Sequence, residues 1–510
     1  MTLLLPSLQA ERIRTSIVDY LSTTFALTDA QPRRALADFL EDSEQGVFVG
    51  PFVRLRLPYL AASARSGVAD QPLDWDPGLV PYRHQEDAYR RLTTKNGHRP
   101  QPTIITTGTG SGKTEAFLHP ILDHVLRARA AGVTGLKALI LYPMNALATD
   151  QAGRLAHLLI TDPALASVTA ALYTGDSTTQ ASKRVTADSL ITDRYVVRDH
   201  PPDILLTNYK MLDQLLLRPE DRRLWEVSAG SLTYLVLDEF HTYDGAQGTD
   251  VAMLLRRLGL TLRAHLPVDD PRRETFTASP LGPVCPVATS ATLGDGSDSS
   301  RMLAFARDVF GTDLAANAVI TETRADLAQW AETHSRAAEA TGLASRALRL
   351  RSLTAENLQA LARFAETGSP EPEALLRGVV ARLYDLSDRS DDDTDASRLA
   401  SALQSHPDVL ALIRATGRAT ALAELARTLI GPGHDPGLAR RALAAILAAL
   451  SAIRAGLNGI PDRRAVSVEI TLWVREVTRV DRALDAGPAF RWADAADRAA
   501  EADAPARPAL

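Results

Sequence analysis

Residues Thr107-Gly108-Thr109-Gly110-Ser111-Gly112-Lys113-Thr114 constrain the fold of this chain more than any other stretch. They follow Pro102-Thr103-Ile104-Ile105-Thr106, a short β-branched run that reads as a buried parallel strand. They precede Glu115-Ala116-Phe117-Leu118, the start of a segment running to Leu126 with apolar positions at helical spacing. A strand, a glycine-rich turn and a helix in that order commit their surroundings to a parallel α/β sheet. Gly108, Gly110 and Gly112 let the backbone turn tightly and point its N–H groups at an anion. The helix N-terminus adds partial positive charge. The backbone from Thr109 through Gly110, Ser111 and Gly112, with the Lys113 ammonium, is therefore set to cradle the phosphates of a nucleoside triphosphate, and Thr114 to offer its hydroxyl to Mg2+. The competing reading is a glycine-rich turn with no ligand. The Gly-Lys-Thr ending in this context favours phosphate, although Thr107 stands where the strict pattern has glycine.

A second buried-strand run, Leu232 to Leu237, ends at Asp238-Glu239-Phe240-His241. A carboxylate at that strand end, Asp238, can hold Mg2+, and Glu239 beside it can orient an attacking water. A lone Asp-Glu is common, but Asp-Glu-x-His downstream of a phosphate loop is specific. The bland reading of His241 is a surface histidine. Ser290-Ala291-Thr292 follows the apolar stretch Val284 to Val287 and gains meaning only from that position. Upstream, Pro81-Tyr82-Arg83-His84-Gln85 opens an amphipathic helix. The Gln85 amide is expected to read adenine through paired hydrogen bonds; the alternative is a solvated glutamine at a helix start.

The order Gln85, phosphate loop, Tyr142-Pro143-Met144-Asn145-Ala146-Leu147, Tyr173-Thr174-Gly175, Thr207-Asn208, Asp-Glu-Phe-His and Ser-Ala-Thr resembles the first motor domain of superfamily 2 helicases. The stretch His241 to Gly248, followed by Val251-Ala252 and Arg256-Arg257-Leu258, is similar to large bacterial DExH helicases of the mitomycin-repair-factor type and of phage-defence loci. The resemblance covers about residues 80–323. It implies ATP and Mg2+ as cofactors, a RecA-like sheet with helices on both faces, and movement on DNA, with RNA as the other candidate. It implies that Lys113 and Thr114 carry the phosphates and metal, that Asp238 holds the metal and that Glu239 is the catalytic base. His241, Ser290 and Thr292 would couple hydrolysis to the strand, and Asn145, Thr174, Gly175 and Thr207 would lie along its backbone. Met144 occupies a position often basic in the family.

Such a motor needs a second domain supplying an arginine finger. From about 325 to 460 the chain is instead rich in Ala, Leu and Arg at helical spacing. Ala415-Thr416-Gly417-Arg418-Ala419 is faintly similar to a finger motif but reads as helix surface. The expected organisation is an N-terminal accessory layer over 1–75 and a RecA-like ATP-binding domain over 76–323. An all-helical domain over 324–465 follows, then a segment over 466–510 that leads towards a second motor domain in a continuing or adjacent polypeptide. The functional expectation is an ATP-hydrolysing helicase with low activity by itself, acting in repair or phage defence. The alternative is a non-catalytic ATP- and nucleic-acid-binding scaffold.

Composition sets bounds. Apolar content of 45% suffices for real cores, and one cysteine, Cys285, excludes a disulfide framework and argues for a reducing compartment. No signal peptide or long apolar run is evident, so we expect a cytoplasmic protein with no membrane partner. A net charge of −6 disfavours a passive nucleic-acid coat but is compatible with a motor whose contacts are few. Ser387 to Asp395 reads as a solvated acidic loop rather than a metal site.

Overall fold

Two units make up the chain, one formed by residues 1–58 with 324–510 and the other by residues 59–323. The computed structural model describes residues 5–492 apart from 25–27, 43–45, 63–70, 109, 176–180, 292–298, 341, 367–370, 387–394, 458, 460, 476–479 and 483–488. Thr109, Thr292 and all but the last residue of the acidic loop lie outside the described residues.

The chain opens with α1 (Pro6–Thr24), α2 (Ala30–Glu41) and β1 (Phe48–Arg56). The second unit then runs α3 (Arg83–Leu92), β2 (Thr103–Thr106), α4 (Lys113–Ala130), β3 (Ala138–Tyr142), α5 (Asn145–Thr161), β4 (Ala170–Tyr173), α6 (Arg194–Asp199), β5 (Ile204–Asn208), α7 (Tyr209–Leu217), α8 (Arg222–Ser228), β6 (Tyr234–Leu237), α9 (Gly245–His265), α10 (Arg272–Ala278), β7 (Cys285–Ser290), α11 (Ser299–Phe310) and β8 (Val319–Thr321). Seven of its strands form one sheet in the order β4-β5-β3-β6-β7-β2-β8, and every pairing is parallel.

The strands are apolar on both faces, and alternate residues feed two cores. Leu139, Leu141, Leu235 and Leu237 pack with α7, α8, α9 and α11; Ala138, Ile140, Tyr234 and Val236 pack with α3, α4 and α5. This is the expected parallel sheet with helices on both faces. The loops after β2, β3, β4, β5, β6 and β7 all leave its C-terminal edge, where such sheets bind ligands.

The first unit resumes with α12 (Leu327–Glu339), α13 (Ala355–Glu366), α14 (Pro372–Leu383), α15 (Ala396–Ser405), α16 (Pro407–Ala415), β9 (Thr420–Ala421), α17 (Leu422–Leu429), α18 (Pro436–Ala455), β10 (Ser467–Val474), β11 (Val480–Arg482) and β12 (Phe490–Trp492). Helix α18 is its core. By length and composition alone it could cross a membrane, unlike the expectation of no such run, but 72% of that window is buried inside the protein. Its alanines allow close approach, and α1, α13, α14 and α17 pack around it.

Three sequence expectations are corrected here. Residues 6–56 do not form a separate layer ending at 75: Ser7 Oγ donates to Ala444 O at 2.7 Å, and β1 pairs antiparallel with β10. Residues 467–474 are accordingly a strand of this unit, and residues 59–75 belong with the parallel sheet. Residues 415–419 are not helix surface. Helix α16 ends at Ala415, the Thr416 hydroxyl accepts from Leu55 N at 3.2 Å, and the chain turns into β9, which pairs with β1.

Candidate functional site

The phosphate loop spans residues 107–112 between β2 and α4. Gly110 and Gly112 have φ of +75° and +78°, a region open to glycine at little cost. A Cβ on Gly112 would lie 2.2 Å from Gln85 Nε2. Thr107 Oγ1 and Ser111 Oγ share a hydrogen bond of 2.6 Å, so the threonine in place of the first glycine braces the loop internally. His84 Nε2 lies 2.9 Å from Ser111 O, and Gly108 N donates to Glu322 Oε2 at 2.8 Å. Neither bracing residue was singled out from sequence. Histidine beside a glutamine and glutamate after a short strand carry no signal until the fold brings them to the loop.

Gln85 is placed differently from the adenine-reading expectation. It is 4% exposed; its Nε2 donates to Gly112 O at 3.1 Å and its Oε1 accepts from Tyr82 N at 2.8 Å. It sits at the third position of α3, where a glutamine closes a capping box, so both ends of the amide hold backbone.

Two strands away, β6 delivers Asp238 and Glu239. Glu239 is left-handed (φ 49°), which turns the chain sharply at the strand end. Its carboxylate lies 3.5 Å from Lys113 Nζ and, through the other oxygen, 3.5 Å from His241 Nδ1. Asp238 is buried; Thr289 Oγ1, from the adjacent strand β7, donates a short hydrogen bond to Asp238 Oδ1, and Glu239 N donates to the same hydroxyl at 3.2 Å. Burial raises the Asp238 pKa; the Thr289 hydrogen bond and Lys113 oppose the rise, and Glu239 adds to it. Thr289 was not picked out from sequence. Register places it: Leu237 pairs with Ala288, so the next residues meet. Ser290 Oγ lies 3.4 Å from His241 Nδ1. Thr114, at the start of α4, has its hydroxyl 3.5 Å from Gln151 Oε1.

The donor set suits Mg2+, with one carboxylate, Asp238, and one hydroxyl, Thr114. Both are hard oxygens, and few protein ligands match a cation that keeps waters and takes phosphate oxygens.

A separate cleft of about 530 Å³ lies along the ends of β3, β4 and β5, lined by Asn145, Gly175, Asn208, Lys210, Gln214 and Gln247 among others. Asn208 Nδ2 donates to Asn145 Oδ1 at 2.6 Å, while Asn208 Oδ1 caps α7 at Met211 N. Asn145 and Gly175, two of the residues for which the resemblance implies strand contact, line this one cleft, and Thr174 adjoins them half-buried. Thr207 does not line the cleft. It is fully buried and its hydroxyl donates to Tyr173 O at 2.6 Å, because the last positions of β5 still face the core. Asn208, the last residue of β5, is buried with its amide at the cleft, and the exposed Lys210 follows in α7.

A parallel sheet with a braced phosphate loop, and an acidic turn two strands away whose glutamate meets the loop lysine, is the arrangement of a RecA-like nucleotide-binding domain. Residues 82–295 match the family described as DEAD/DEAH box helicase. It is 28% identical over 385 residues to the Druantia protein DruE of Escherichia coli (strain UMEA 4076-1), covering 55% of this chain and 20% of that protein. It is 30% identical over 230 residues to the ATP-dependent helicase hrq1 of Schizosaccharomyces pombe (strain 972 / ATCC 24843), covering 43% and 19%. The chain therefore spans about a fifth of the length of these relatives. Among solved structures, the DUF1998 helicase MrfA bound to DNA aligns with TM-score 0.38 and 21% identity over 56% of this chain and 37% of that one. At that score the likeness carries no argument, and the fold rests on the sheet topology.

Proposed function

We propose that this chain is the ATP-binding portion of a nucleic-acid helicase that hydrolyses ATP and moves on DNA, in repair or phage defence. The observation that carries the reading is Lys113 Nζ, at the start of the helix behind the phosphate loop, meeting the Glu239 carboxylate. The group that would hold the γ-phosphate and the group that would act as base are already within reach of each other. Mg2+, held by Thr114 and Asp238, would supply neutralisation of phosphate charge. Lys113 releases Glu239 to bind phosphate oxygens, and Glu239 orients a water and accepts its proton. Asp238 is kept in place by Thr289, and His241 joins Glu239 to Ser290 at the end of β7. Asn145, Gly175, Asn208 and Lys210 offer amides, backbone and one cation to a strand, the chemistry of sequence-independent contact. A second motor domain in a continuing or adjacent polypeptide would add an arginine, worth about 10³–10⁵ in rate in comparable enzymes.

The test is ATPase activity with and without single-stranded DNA, for this chain alone and with the polypeptide carrying the second motor domain. Slow turnover by the chain alone and a large DNA-dependent rise on reconstitution are expected. Rapid hydrolysis that ignores DNA in both settings would overturn the reading.

A further inference from the structure

The strand-binding cleft has a neighbour that none of the motif residues accounts for. After β4 and Gly175, residues 181–199 carry Lys183, Arg184, Arg194 and Arg198 against Asp188, Asp193 and Asp199, together with one tyrosine, Tyr195, beside the cleft edge. Helix α6 is firmly held. Asp193 Oδ1 caps it at Tyr195 N and Val196 N (2.9 and 3.1 Å), and Val197 is buried. Arg198 Nε bonds to the buried Asp221 at 2.6 Å. Ser182 O accepts from Thr192 N and Asp193 N at 2.9 and 3.0 Å, which ties Lys183 and Arg184 to the start of the helix.

On this fixed base Tyr195 is 77% exposed. Beside it, Arg194 lies over the Tyr173 ring (5.5 Å) and donates to Thr174 O at 3.4 Å, one residue from the cleft-lining Gly175. Lys183, Arg184 and Arg194 are all exposed and enter no ion pair among the described residues. In a chain of net charge −6, three such cations in the segment that carries an exposed tyrosine are not explained by the core, although the exposed Asp188 and Asp199 share that segment. Single exposed aromatics are common on surfaces. What distinguishes this one is the arginine linking it to the loop that lines the cleft.

We propose that the 181–199 segment extends the strand track beyond the motif loops, with Lys183, Arg184 and Arg194 taking phosphates and Tyr195 stacking on a base of single-stranded nucleic acid. The inference rests on the helicase reading above and names a contact that reading does not require. A π-face accepts any base, so the platform adds grip without sequence preference.

The experiment is binding of fluorescein-labelled oligodeoxythymidine and oligouridine to the full chain at two salt concentrations, with an abasic oligodeoxynucleotide as control. Tyr195→Ala should weaken binding to the thymidine strand about tenfold, Tyr195→Phe should restore it, and the difference should vanish on the abasic strand. The Lys183→Ala/Arg184→Ala/Arg194→Ala variant should reduce the slope of log affinity against log salt by about 0.7 per cation lost. The uridine arm tells whether the platform distinguishes RNA from DNA. If wild type binds and Tyr195→Ala binds equally tightly on every strand, the platform is off the track and this inference falls alone. If wild type binds no single strand at low salt, the helicase reading falls and takes this inference with it.

Discussion

Lys113 Nζ and Glu239 Oε1 lie 3.5 Å apart, although the strands that lead to them, β2 through the phosphate loop and β6 directly, are separated by a third. The pair marks the place where an incoming phosphate must compete with a carboxylate. Lys113→Ala removes the cation that wins that competition. Mg-ATP at about 100 times its dissociation constant should stabilise wild type by about 2.7 kcal/mol, and the variant by almost nothing. Glu239→Gln should keep the thermal shift and lower turnover by about 10²–10⁴, the usual contribution of a general base. Gly112→Ala should lose the shift as well, because its Cβ would strike Gln85. Melting curves with and without nucleotide, beside a phosphate-release assay, separate the three.

Two partly or fully buried histidines give the 59–323 unit an acid sensitivity. Burial lowers the His119 and His124 pKa values from 6.5 to about 4, with Glu115 opposing the shift at His119 and Arg127 and Lys137 adding to it at His124. In this window the unfolded chain takes up protons that the folded chain refuses. Stability is therefore full above pH 6.5, falls as pH drops towards 4 and levels off below. His119, 3% exposed, should account for about 3 kcal/mol, and the less buried His124 for less. The melting temperature of His119→Gln should fall less steeply over that range than that of wild type. Parallel curves would show that His119 does not titrate as its burial requires.

The sheet and its loops were legible because buried parallel strands are short, β-branched and followed by glycines or acids that appear nowhere else in that order. Lys113, Asp238, Glu239 and His241 needed only strand ends to be recognised. Other parts depend on who the neighbour is. Thr289 matters through its register against β6, and Glu322 through the folding of β8 beside β2. Gln85 is less legible, because one sequence position serves equally as an adenine reader and as the third residue of a capped helix. The β1–β10 pairing joins residues such as Arg56 and Ser467, and nothing local to either strand names a partner so distant. In sequence, residues 466–510 read only as a segment leading towards a second motor domain, and the strand Ser467–Val474 emerges with its partner β1.

The Lys137–Asp203 ion pair predicts an asymmetric pair of mutants. Both side chains are 2% exposed, and their charged atoms are 2.8 Å apart. Asp203 also accepts from Arg129 at 2.9 Å and from Thr169 N and Oγ1 at 2.8 Å each. Asp203→Ala strands a buried ammonium and should cost about 3–5 kcal/mol. Lys137→Met leaves Asp203 with Arg129 and Thr169, and should cost clearly less. Urea unfolding of both variants checks the order; equal losses would mean that the remaining donors do not compensate Asp203.

The division of the chain into two units makes a last prediction. Val53 is fully buried in the central strand β1, opposite Ile470 on one side and Thr420 on the other. It belongs to the core built around α18, whereas the phosphate loop, Asp238 and Glu239 belong to the 59–323 unit. Val53→Asp places a carboxylate where no partner reaches it, a change in the severe class of several kcal/mol. Calorimetry should show one transition moved to lower temperature and a second left in place. The second should still rise with Mg-ATP by the same amount as in wild type. A single transition that shifts as a whole, with the nucleotide response lost alongside it, would mean that the two units do not fold independently.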